Sequence, residues 1–317
     1  NPVARAIKWI HDPVNKEQFR DLGDQLATVE VLFSSWSPPL LDAECLARMP
    51  ALQAVFYAGG SVKGIVSPDF WKLDIPVFNT KLANAVPVAE YCFSQIILGL
   101  KRAGQLSRYL REERGFPREM YQEHHLETCP FHGAFRQPVG LIGLGVTGRQ
   151  TAALLRQSDL QLLGFDPFVT QTEMARSQVD KVELEDLFRR SCAVSLHAPE
   201  LESTRWMIRG HHLLSMPRHG VFINTSRGGL VHQDEMIDAL RKRPDLWAVL
   251  DVTEPEPLLP DSPLLSMPNV EVTPHIAGAL GSEMNRLARE ICREYFRWLK
   301  QVPTHSRVYE TDLCTQA

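Results

Sequence analysis

A glycine-rich turn in the middle of the chain limits the possible folds more strongly than any other segment. It reads Gly143-Leu-Gly145-Val-Thr-Gly148 and lies between an apolar run at residues 139–142 and a helical pattern at residues 147–157. In such a strand-turn-helix unit the first glycine permits the tight turn, the second lets the backbone approach a pyrophosphate, and the third allows close helix packing. The N–H groups at the helix start favour a phosphate there. The turn therefore predicts a dinucleotide-binding unit.

A carboxylate at the next strand end supports the same interpretation. Asp166 follows the apolar run at residues 160–165 and lies 18 residues after Gly148, where a carboxylate can accept hydrogen bonds from an adenosine ribose. The alternative is a simple strand-end turn formed with Pro167. Because the carboxylate repels a 2′-phosphate and the next arginine is Arg176, the sequence favours NAD over NADP.

The rest of the chain predicts an α/β fold with two doubly wound domains. Short apolar runs alternate with helical patterns, which is typical of parallel sheets covered by helices. A chain of 317 residues also exceeds the usual size of one hydrophobic core. Before the turn we predict strands at residues 6–10, 29–33, 52–57 and 77–79, one long helix at residues 89–111 that Pro87 opens, and an irregular connection at residues 115–137.

The same alternation continues after the turn. We predict strands at residues 139–142, 160–165, 193–196, 221–224, 248–251 and 270–273, and helices at residues 147–157, 184–190 and 233–241. An amphipathic helix follows at residues 283–300. This second series predicts a doubly wound sheet of its own.

Bulk composition argues against several classes of protein. The formal net charge of −4 and the pI near 6.3 disfavour a nucleic-acid partner, because phosphate binding needs a basic field. The six cysteines form no C-x-x-C pair, so we expect no metal site and no dense disulfide framework, and a reducing cytoplasm fits best. No apolar run is long enough to cross a bilayer, so we expect no membrane partner.

Three further segments follow predicted strands, at the sheet edge where open α/β sheets bind ligands. Arg227 precedes two glycines, and its guanidinium could bind a carboxylate and a carbonyl oxygen, although alone it could equally be a surface cation. Asp251, Glu254 and Glu256 surround rigid prolines, and taken alone they indicate an acidic, proline-stiffened loop. The imidazole of His275 could transfer a proton near neutral pH, whereas a lone histidine is more often a packed or capping residue.

Together these segments resemble the D-2-hydroxyacid dehydrogenase family, also called the D-isomer specific dehydrogenases. The resemblance runs in order along the chain through residues 52–60, 84–90, 140–148, 194–199, 224–229, 250–257 and 273–278. It implies a Rossmann NAD-binding domain at residues 101–281, inserted into a flavodoxin-like substrate (catalytic) domain formed by residues 1–100 and 282–317. It also implies a small 2-keto or 2-hydroxy acid as substrate and a homodimer.

The resemblance also assigns roles to individual residues. It implies that Arg227 binds the substrate's carboxylate and carbonyl, that His275 is the general acid and base, and that Glu256 rather than Glu254 pairs with His275. Residue types alone do not make that last choice. The substrate carboxylate would be bound by the backbone of Gly59, Gly60 and Ser61.

For the cofactor, the resemblance implies that Asp166 holds the adenosine ribose and Asp251 contacts the nicotinamide carboxamide. The other cofactor-binding residues that we expect are Gly143, Gly145, Val146, Thr147, Gly148, Pro167, His197, Ala198, Pro199, Thr204, Thr225 and Gly278, together with Arg227 and His275.

The chain departs from the family pattern beside the expected carboxylate-binding turn. Lys63 occupies an Asp-like position, where it either favours a second acid group on the substrate or is a solvated surface lysine. Two other functions stay open on the same scaffold, since a fold does not determine a function. One is an NAD-sensing corepressor. The other is a relative that acts on formate or phosphite, although formate enzymes have glutamine where this chain has Glu256.

Overall fold

Two α/β units make up the protein. The computed structural model describes residues 7–113 and 133–314. One compact unit consists of residues 1–85 with 279–317, and the other of residues 86–278. The two-domain α/β class predicted from the sequence is confirmed. The predicted domain boundaries at residues 100 and 281 lie further along the chain and stay a prediction.

The first unit is built on a small sheet with three parallel strands and one antiparallel strand. Its strands are β1 (Val31–Ser34), β2 (Ala54–Tyr57), β3 (Val77–Phe78) and β11 (Arg307–Val308), in the spatial order β1-β2-β3-β11 among the described residues. Its helices are α1 (Lys16–Asp21), α2 (Ala43–Ala47), α3 (Pro68–Trp71) and the amphipathic α11 (Met284–Leu299). Strand β2 is buried along its whole length, as its unbroken apolar sequence requires.

The predicted first strand at residues 6–10 is wrong for residues 7–10, which belong to no strand. Residue 6 lies outside the described residues. The side chain of Ile7 instead packs against the aromatic cluster that contains Phe56 and Tyr295. An apolar run can be used in side-chain packing without pairing its backbone with a sheet, and the sequence pattern alone does not separate the two cases.

The second unit is a parallel, doubly wound sheet. Its strands are β4 (Pro138–Ile142), β5 (Gln161–Phe165), β6 (Asp180–Lys181), β7 (Ala193–Leu196), β8 (Val221–Asn224), β9 (Trp247–Leu250) and β10 (Val270–Val272). Their order is β10-β9-β8-β7-β4-β5-β6, and every pair is parallel. The strand order reverses at β4, which lies between β5 and β7. Open α/β sheets bind ligands beyond the carboxyl ends of the strands at such a point.

Helices cover both faces of this sheet. They are α4 (Lys81–Leu100), whose first residues belong to the first unit, α5 (Ala103–Glu113), α6 (Val146–Leu155), α7 (Gln171–Arg176), α8 (Leu184–Arg190), α9 (Gly210–Ser215) and α10 (Gln233–Lys242). Successive side chains of a strand point to opposite faces of the sheet, so they pack into different apolar clusters. In β7, Val194 and Leu196 belong to one apolar cluster and Ala193 to the other.

The single helix predicted at residues 89–111 is two helices, and it begins earlier. Pro87 does not open α4 but lies inside it. The helix starts at Lys81, whose N–H donates to the side chain of Asn79 (3.3 Å). Arg102 has a left-handed φ of 56° and separates α4 from α5. Residues 115–132 of the predicted connection lie outside the described residues.

None of the described helices has the length and apolarity needed to span a bilayer.

Candidate active site

The glycine-rich turn lies at the switch point between β4 and α6. Gly143 has a left-handed φ of 87°, and a Cβ there would lie 2.7 Å from the backbone nitrogen of Ala198. A Cβ on Gly148 would lie 2.1 Å from the carbonyl oxygen of Gly143. The folded chain itself therefore requires glycine at both positions.

Gly145 differs from the other two glycines of the turn, Gly143 and Gly148. Its φ is −72°, which any residue can adopt, and a Cβ built there would meet no atom within 4 Å. Packing of the chain thus gives no reason for a glycine. A pyrophosphate that approaches the start of α6 gives one, because it needs the space that a side chain would fill. Val146 and Thr147 form the first turn of this helix. The turn therefore fits the phosphates of a dinucleotide.

Asp166 follows β5 and lies against the same turn. Its Oδ2 accepts a hydrogen bond from the N–H of Leu144 (2.8 Å), and its Oδ1 accepts one from the N–H of Phe168 (2.9 Å). The carboxylate is half-buried, and Pro167 beside it is exposed. These two bonds fix the carboxylate beside the turn, where it can accept further hydrogen bonds from a ribose.

The segment after β7 lies behind the glycine turn. Both ring nitrogens of His197 are buried and have no hydrogen-bond partner among the described residues. Burial lowers the pKa of His197 to about 4, so the ring is neutral at physiological pH. The hydroxyl of Thr204 donates to the carbonyl of Pro199 (2.7 Å) and braces this segment. Thr225 is buried at the end of β8, with its hydroxyl 3.2 Å from Sγ of Cys92.

The loops that carry Arg227, Asp251 and His275 leave the same edge of the sheet. Asn224 at the end of β8 pairs with Leu250 of β9, and Leu250 pairs with Val272 of β10. Neighbouring strands lie about 4.8 Å apart, so β8 and β10 are separated by roughly 10 Å. The strand spacing thus brings the starts of these loops close together, although among the described residues no hydrogen bond or ion pair joins Arg227 to Glu256 or His275.

His275 and Glu256 are in direct contact. Nδ1 of His275 lies 2.5 Å from Oε1 of Glu256. The two side chains are 45% and 42% exposed, so both remain accessible. Because a carboxylate can only accept, the Nδ1 atom carries the proton of this bond, and Nε2 is the ring atom that remains for a ligand.

Asp251 is buried and anchors the loop of His275. Its Oδ1 accepts hydrogen bonds from Oγ1 of Thr273 (2.6 Å) and the N–H of Ile276 (2.7 Å), and its Oδ2 accepts one from the N–H of Ala277 (2.8 Å). Its carbonyl accepts the N–H of His275 (3.0 Å). Both carboxylate oxygens are thus engaged in shaping the loop, which continues to the half-buried Gly278.

Glu254 has partners other than His275. Its Oε1 lies 2.6 Å from Nη2 of Arg205, and its Oε2 accepts a hydrogen bond from Nε1 of Trp206 (3.3 Å). Of the two glutamates in the acidic loop, only Glu256 therefore contacts the histidine among the described residues. Sequence analysis did not single out Arg205 or Trp206, because nothing in their local pattern points to the acidic loop.

Arg227 lies in a tightly packed turn after β8. Its carbonyl accepts a hydrogen bond from the side chain of Asn224 (2.9 Å), and its Nη1 donates to the carbonyl of Ser226 (2.6 Å). A Cβ on Gly228 would lie 2.1 Å from the carbonyl carbon of Thr253. The glycine lets the arginine turn approach the acidic loop, and Arg227 as a whole is half-buried.

In the first unit, the turn formed by Gly59, Gly60 and Ser61 follows β2. The carbonyl of Gly60 accepts a hydrogen bond from the side chain of Asn79 (2.8 Å), and that of Gly59 accepts the N–H of Thr80 (2.9 Å). The turn is thus fixed to the segment after β3. Lys63 nearby is exposed.

Away from these loops, one group of side chains offers atoms that could bind a metal ion. Atoms of Glu185, His211 and His212 lie within 4.8 Å of one another. However, Nδ1 of His212 accepts the N–H of Arg209 (2.9 Å), so the proton of the neutral ring is on Nε2. A protonated nitrogen cannot bind a metal, and we assign no metal to this cluster.

Comparison with known proteins matches the chain to one family. Residues 93–277 match the sequence model of the family described as "D-isomer specific 2-hydroxyacid dehydrogenase, NAD binding domain". The chain is 36% identical over 251 residues to the (S)-sulfolactate dehydrogenase of Chromohalobacter salexigens, covering 78% of each chain. It is 29% identical to the glyoxylate reductase of Korarchaeum cryptofilum, covering 84% of this chain and 79% of the relative.

Solved structures share the fold. The NAD complex of a D-isomer specific 2-hydroxyacid dehydrogenase from Lactobacillus delbrueckii ssp. bulgaricus aligns with a TM-score of 0.76 at 18% identity, over 94% of this chain and 90% of that one. Apo D-mandelate dehydrogenase from Rhodotorula graminis aligns with the same TM-score at 21% identity, over 94% and 89%. At such identities the likeness concerns the fold alone.

Proposed function

The chain belongs to the D-isomer specific 2-hydroxyacid dehydrogenase family, and on that basis we propose that Arg227, Glu256 and His275 are its catalytic residues. The enzyme is an NAD-dependent oxidoreductase that transfers a hydride between nicotinamide and C2 of a 2-hydroxy acid or 2-keto acid. The main support for these catalytic roles is the 2.5 Å contact between Nδ1 of His275 and Oε1 of Glu256. It occurs at the sheet edge from which the loop of Arg227 also leaves.

The cofactor would be held by the glycine-rich turn and the strand ends around it. When bound, NADH supplies the hydride. The open space at Gly145 would admit the pyrophosphate, and Asp166 would accept hydrogen bonds from the adenosine ribose. The segment from His197 to Pro199 would line the cleft. Asp251 would support the nicotinamide end by shaping the loop of His275, in addition to any contact of its own.

In the direction of keto-acid reduction, negative charge develops on the C2 oxygen. The guanidinium of Arg227 would bind the substrate's carboxylate and stabilise that oxygen. Nε2 of protonated His275 would donate the proton that the oxygen gains. Glu256 at Nδ1 would hold the ring in position and stabilise its charged form.

The substrate carboxylate would also be bound by the backbone of Gly59, Gly60 and Ser61. Small 2-hydroxy and 2-keto acids are named for both relatives, one of which acts on sulfolactate and the other on glyoxylate. We further propose a homodimer in the cytoplasm. Free thiols at Cys45, Cys92, Cys192 and Cys292 support a reducing compartment.

An NADH-oxidation screen tests the proposed function. The panel contains glyoxylate, pyruvate, hydroxypyruvate, phenylpyruvate and 3-sulfopyruvate, the keto form of sulfolactate. We expect NADH oxidation with at least one of them, and its loss in His275→Gln. NADH binding without turnover of any acid would favour the corepressor function instead. A separate assay follows NAD reduction with formate and with phosphite. Activity there, with no keto acid reduced in the screen, would favour a relative that acts on formate or phosphite.

A further inference from the structure

We propose that Arg205 is a positioning residue that fixes the two loops carrying Arg227 and Glu256. We propose that it also prevents Glu254 from replacing Glu256 as the partner of His275. The proposal rests on the catalytic roles proposed above for Arg227, Glu256 and His275. It concerns contacts inside the second unit, and Arg205 itself touches none of the reacting atoms.

Arg205 connects segments that follow two different strands, β7 and β9. It lies in the segment after β7. Its Nη2 is 2.6 Å from Oε1 of Glu254, after β9, and its Nη1 is 3.5 Å from Oε1 of Glu200. The guanidinium also lies over the ring of Trp206, 4.8 Å from the ring centroid. Since Nε1 of Trp206 donates to the other oxygen of Glu254, both oxygens of that carboxylate are engaged.

The arginine turn after β8 packs against the same cluster. The N–H of Trp206 donates to the carbonyl of Gly229 (2.8 Å). A Cβ on Gly229 would lie 2.1 Å from Oε1 of Glu200 and 3.2 Å from Nη1 of Arg205. Only Gly228 separates Gly229 from Arg227, so movement of the Arg205 cluster would be transmitted to the proposed substrate-binding guanidinium.

Stability of the fold does not account for this cluster. The side chains of Arg205 and Glu254 are 44% and 35% exposed, and ion pairs this exposed contribute little to folding. The chain contains a matched pair. Arg209 and Glu235 are 43% and 36% exposed, also form an ion pair, and connect the segment before α9 to α10 rather than to the catalytic loops. The two pairs differ in location and not in exposure.

Charge gives Arg205 a second effect. The acidic loop places two carboxylates two residues apart, and only one of them contacts His275. If Arg205 is removed, Glu254 loses its cation and keeps its negative charge. The loop that carries Glu256 then has one more uncompensated negative charge, which should shift the pH–rate profile of the site. A catalytic group displaced by about 1 Å can also cost roughly 100-fold in rate.

The test compares Arg205→Gln with Arg209→Gln. We expect Arg205→Gln to lower kcat roughly 10- to 100-fold and to shift the pH–rate profile, with NADH affinity unchanged. Arg209→Gln should keep both the rate and the profile, while the two variants lose similar amounts of thermal stability. Adding Glu254→Gln to Arg205→Gln should return the profile towards that of the wild type. Equal kcat losses in the two single variants, with an unchanged profile, would overturn the proposal.

A second readout needs no turnover. The Nδ1 proton of His275, shared with Glu256, should give a downfield proton NMR signal that His275→Gln removes. We expect Arg209→Gln to keep this signal and Arg205→Gln to lose or broaden it. A signal unchanged in Arg205→Gln overturns the positioning role. If the wild type reduces no keto acid, the proposed function fails, and the NMR comparison still decides the role of Arg205.

Discussion

Nδ1 of His275 lies 2.5 Å from Oε1 of Glu256, and the backbone of His275 has a left-handed φ of 55°. A residue other than glycine adopts this conformation only when its surroundings hold it there. Asp251 does so, because its carbonyl accepts the N–H of His275 and its carboxylate accepts the two N–H groups that follow. The histidine is thus fixed through both its ring and its backbone, and Nε2 is the ring nitrogen that this pair leaves available.

Replacing either member of this pair should reduce catalysis without abolishing cofactor binding. For His275→Gln we expect kcat to fall about 10²- to 10⁴-fold, the usual contribution of a general acid or base. Glu256→Gln keeps the shape of the side chain but cannot stabilise a charged imidazole, so its loss should be smaller. Steady-state kinetics and NADH fluorescence titration measure the two effects. A parallel loss of NADH affinity in both variants would contradict these roles.

Arg227→Lys should weaken substrate recognition. Lysine keeps the charge but cannot form two parallel hydrogen bonds to a carboxylate and a carbonyl. Loss of a hydrogen bond to a charged group costs roughly 1.5–3 kcal/mol, so kcat/KM should fall about 10- to 100-fold. Arg241→Lys, on the exposed face of α10, is the control and should leave kcat/KM unchanged. If the two lysine variants behave alike, Arg227 does not bind the substrate.

Two glycines of the same turn should respond differently to substitution. Gly148→Ala places a Cβ 2.1 Å from the carbonyl oxygen of Gly143, so it should destabilise the protein by about 1–3 kcal/mol. The Cβ of Gly145→Ala meets no atom of the chain within 4 Å, so the Tm of this variant should stay near that of the wild type while its Kd for NADH rises. Thermal unfolding and NADH titration separate the two effects. Unchanged NADH affinity in Gly145→Ala would disprove pyrophosphate binding at this turn.

Asp166→Ala should change the preference between the two nicotinamide cofactors. Removing the carboxylate removes an acceptor for the ribose hydroxyls and the repulsion of a 2′-phosphate. The Kd for NADH should rise roughly 10-fold or more, and that for NADPH should not rise with it. At saturating NADH, kcat should change much less. The ratio of the two Kd values is the decisive measurement, and a ratio equal to that of the wild type would count against the ribose contact.

Burial of His197 should make the protein less stable in acid. Its folded pKa is about 4, below the ordinary 6.5, so the unfolded state binds the proton more readily. The free energy of unfolding should therefore decrease as pH falls from 6.5 to 4, by roughly 3 kcal/mol in total. Burial also lowers the pKa of His212 and His219, which adds slope of the same sign.

Urea unfolding between pH 7 and pH 4 checks this prediction. His197→Leu should show a shallower loss of stability across this range, because the group that titrates has been removed. His11→Leu replaces an exposed histidine and should keep the slope of the wild type. An identical slope in His197→Leu and the wild type would show that protonation of His197 is not what destabilises the fold in acid.

Much of the second unit could be predicted from the sequence. The strands at residues 193–196 and 221–224 and the helix at residues 184–190 have the bounds that the apolar pattern predicts, and the other four predicted strands of this unit differ by one residue at one or both ends. The sequence did not predict β6, α7 or α9. The start of α4 could not be predicted in this way. Pro87 favours a helix that begins nearby, but the contacts of Asn79 and Thr80 with the turn at Gly59 and Gly60 start the helix earlier.

The sequence by itself determined the α/β class, the dinucleotide turn and the strand ends that carry reactive side chains. Those features depend on periodicity and on residues a few positions apart, which are local properties of a chain. Residue types alone do not decide which glutamate meets His275; the family resemblance implied Glu256, and the contact itself exists only in the tertiary structure. Glu254 and Glu256 are chemically alike, and Glu254 instead contacts Arg205 and Trp206, nearly fifty residues away in the chain. A contact between residues so far apart exists only after the sheet has aligned its strand ends.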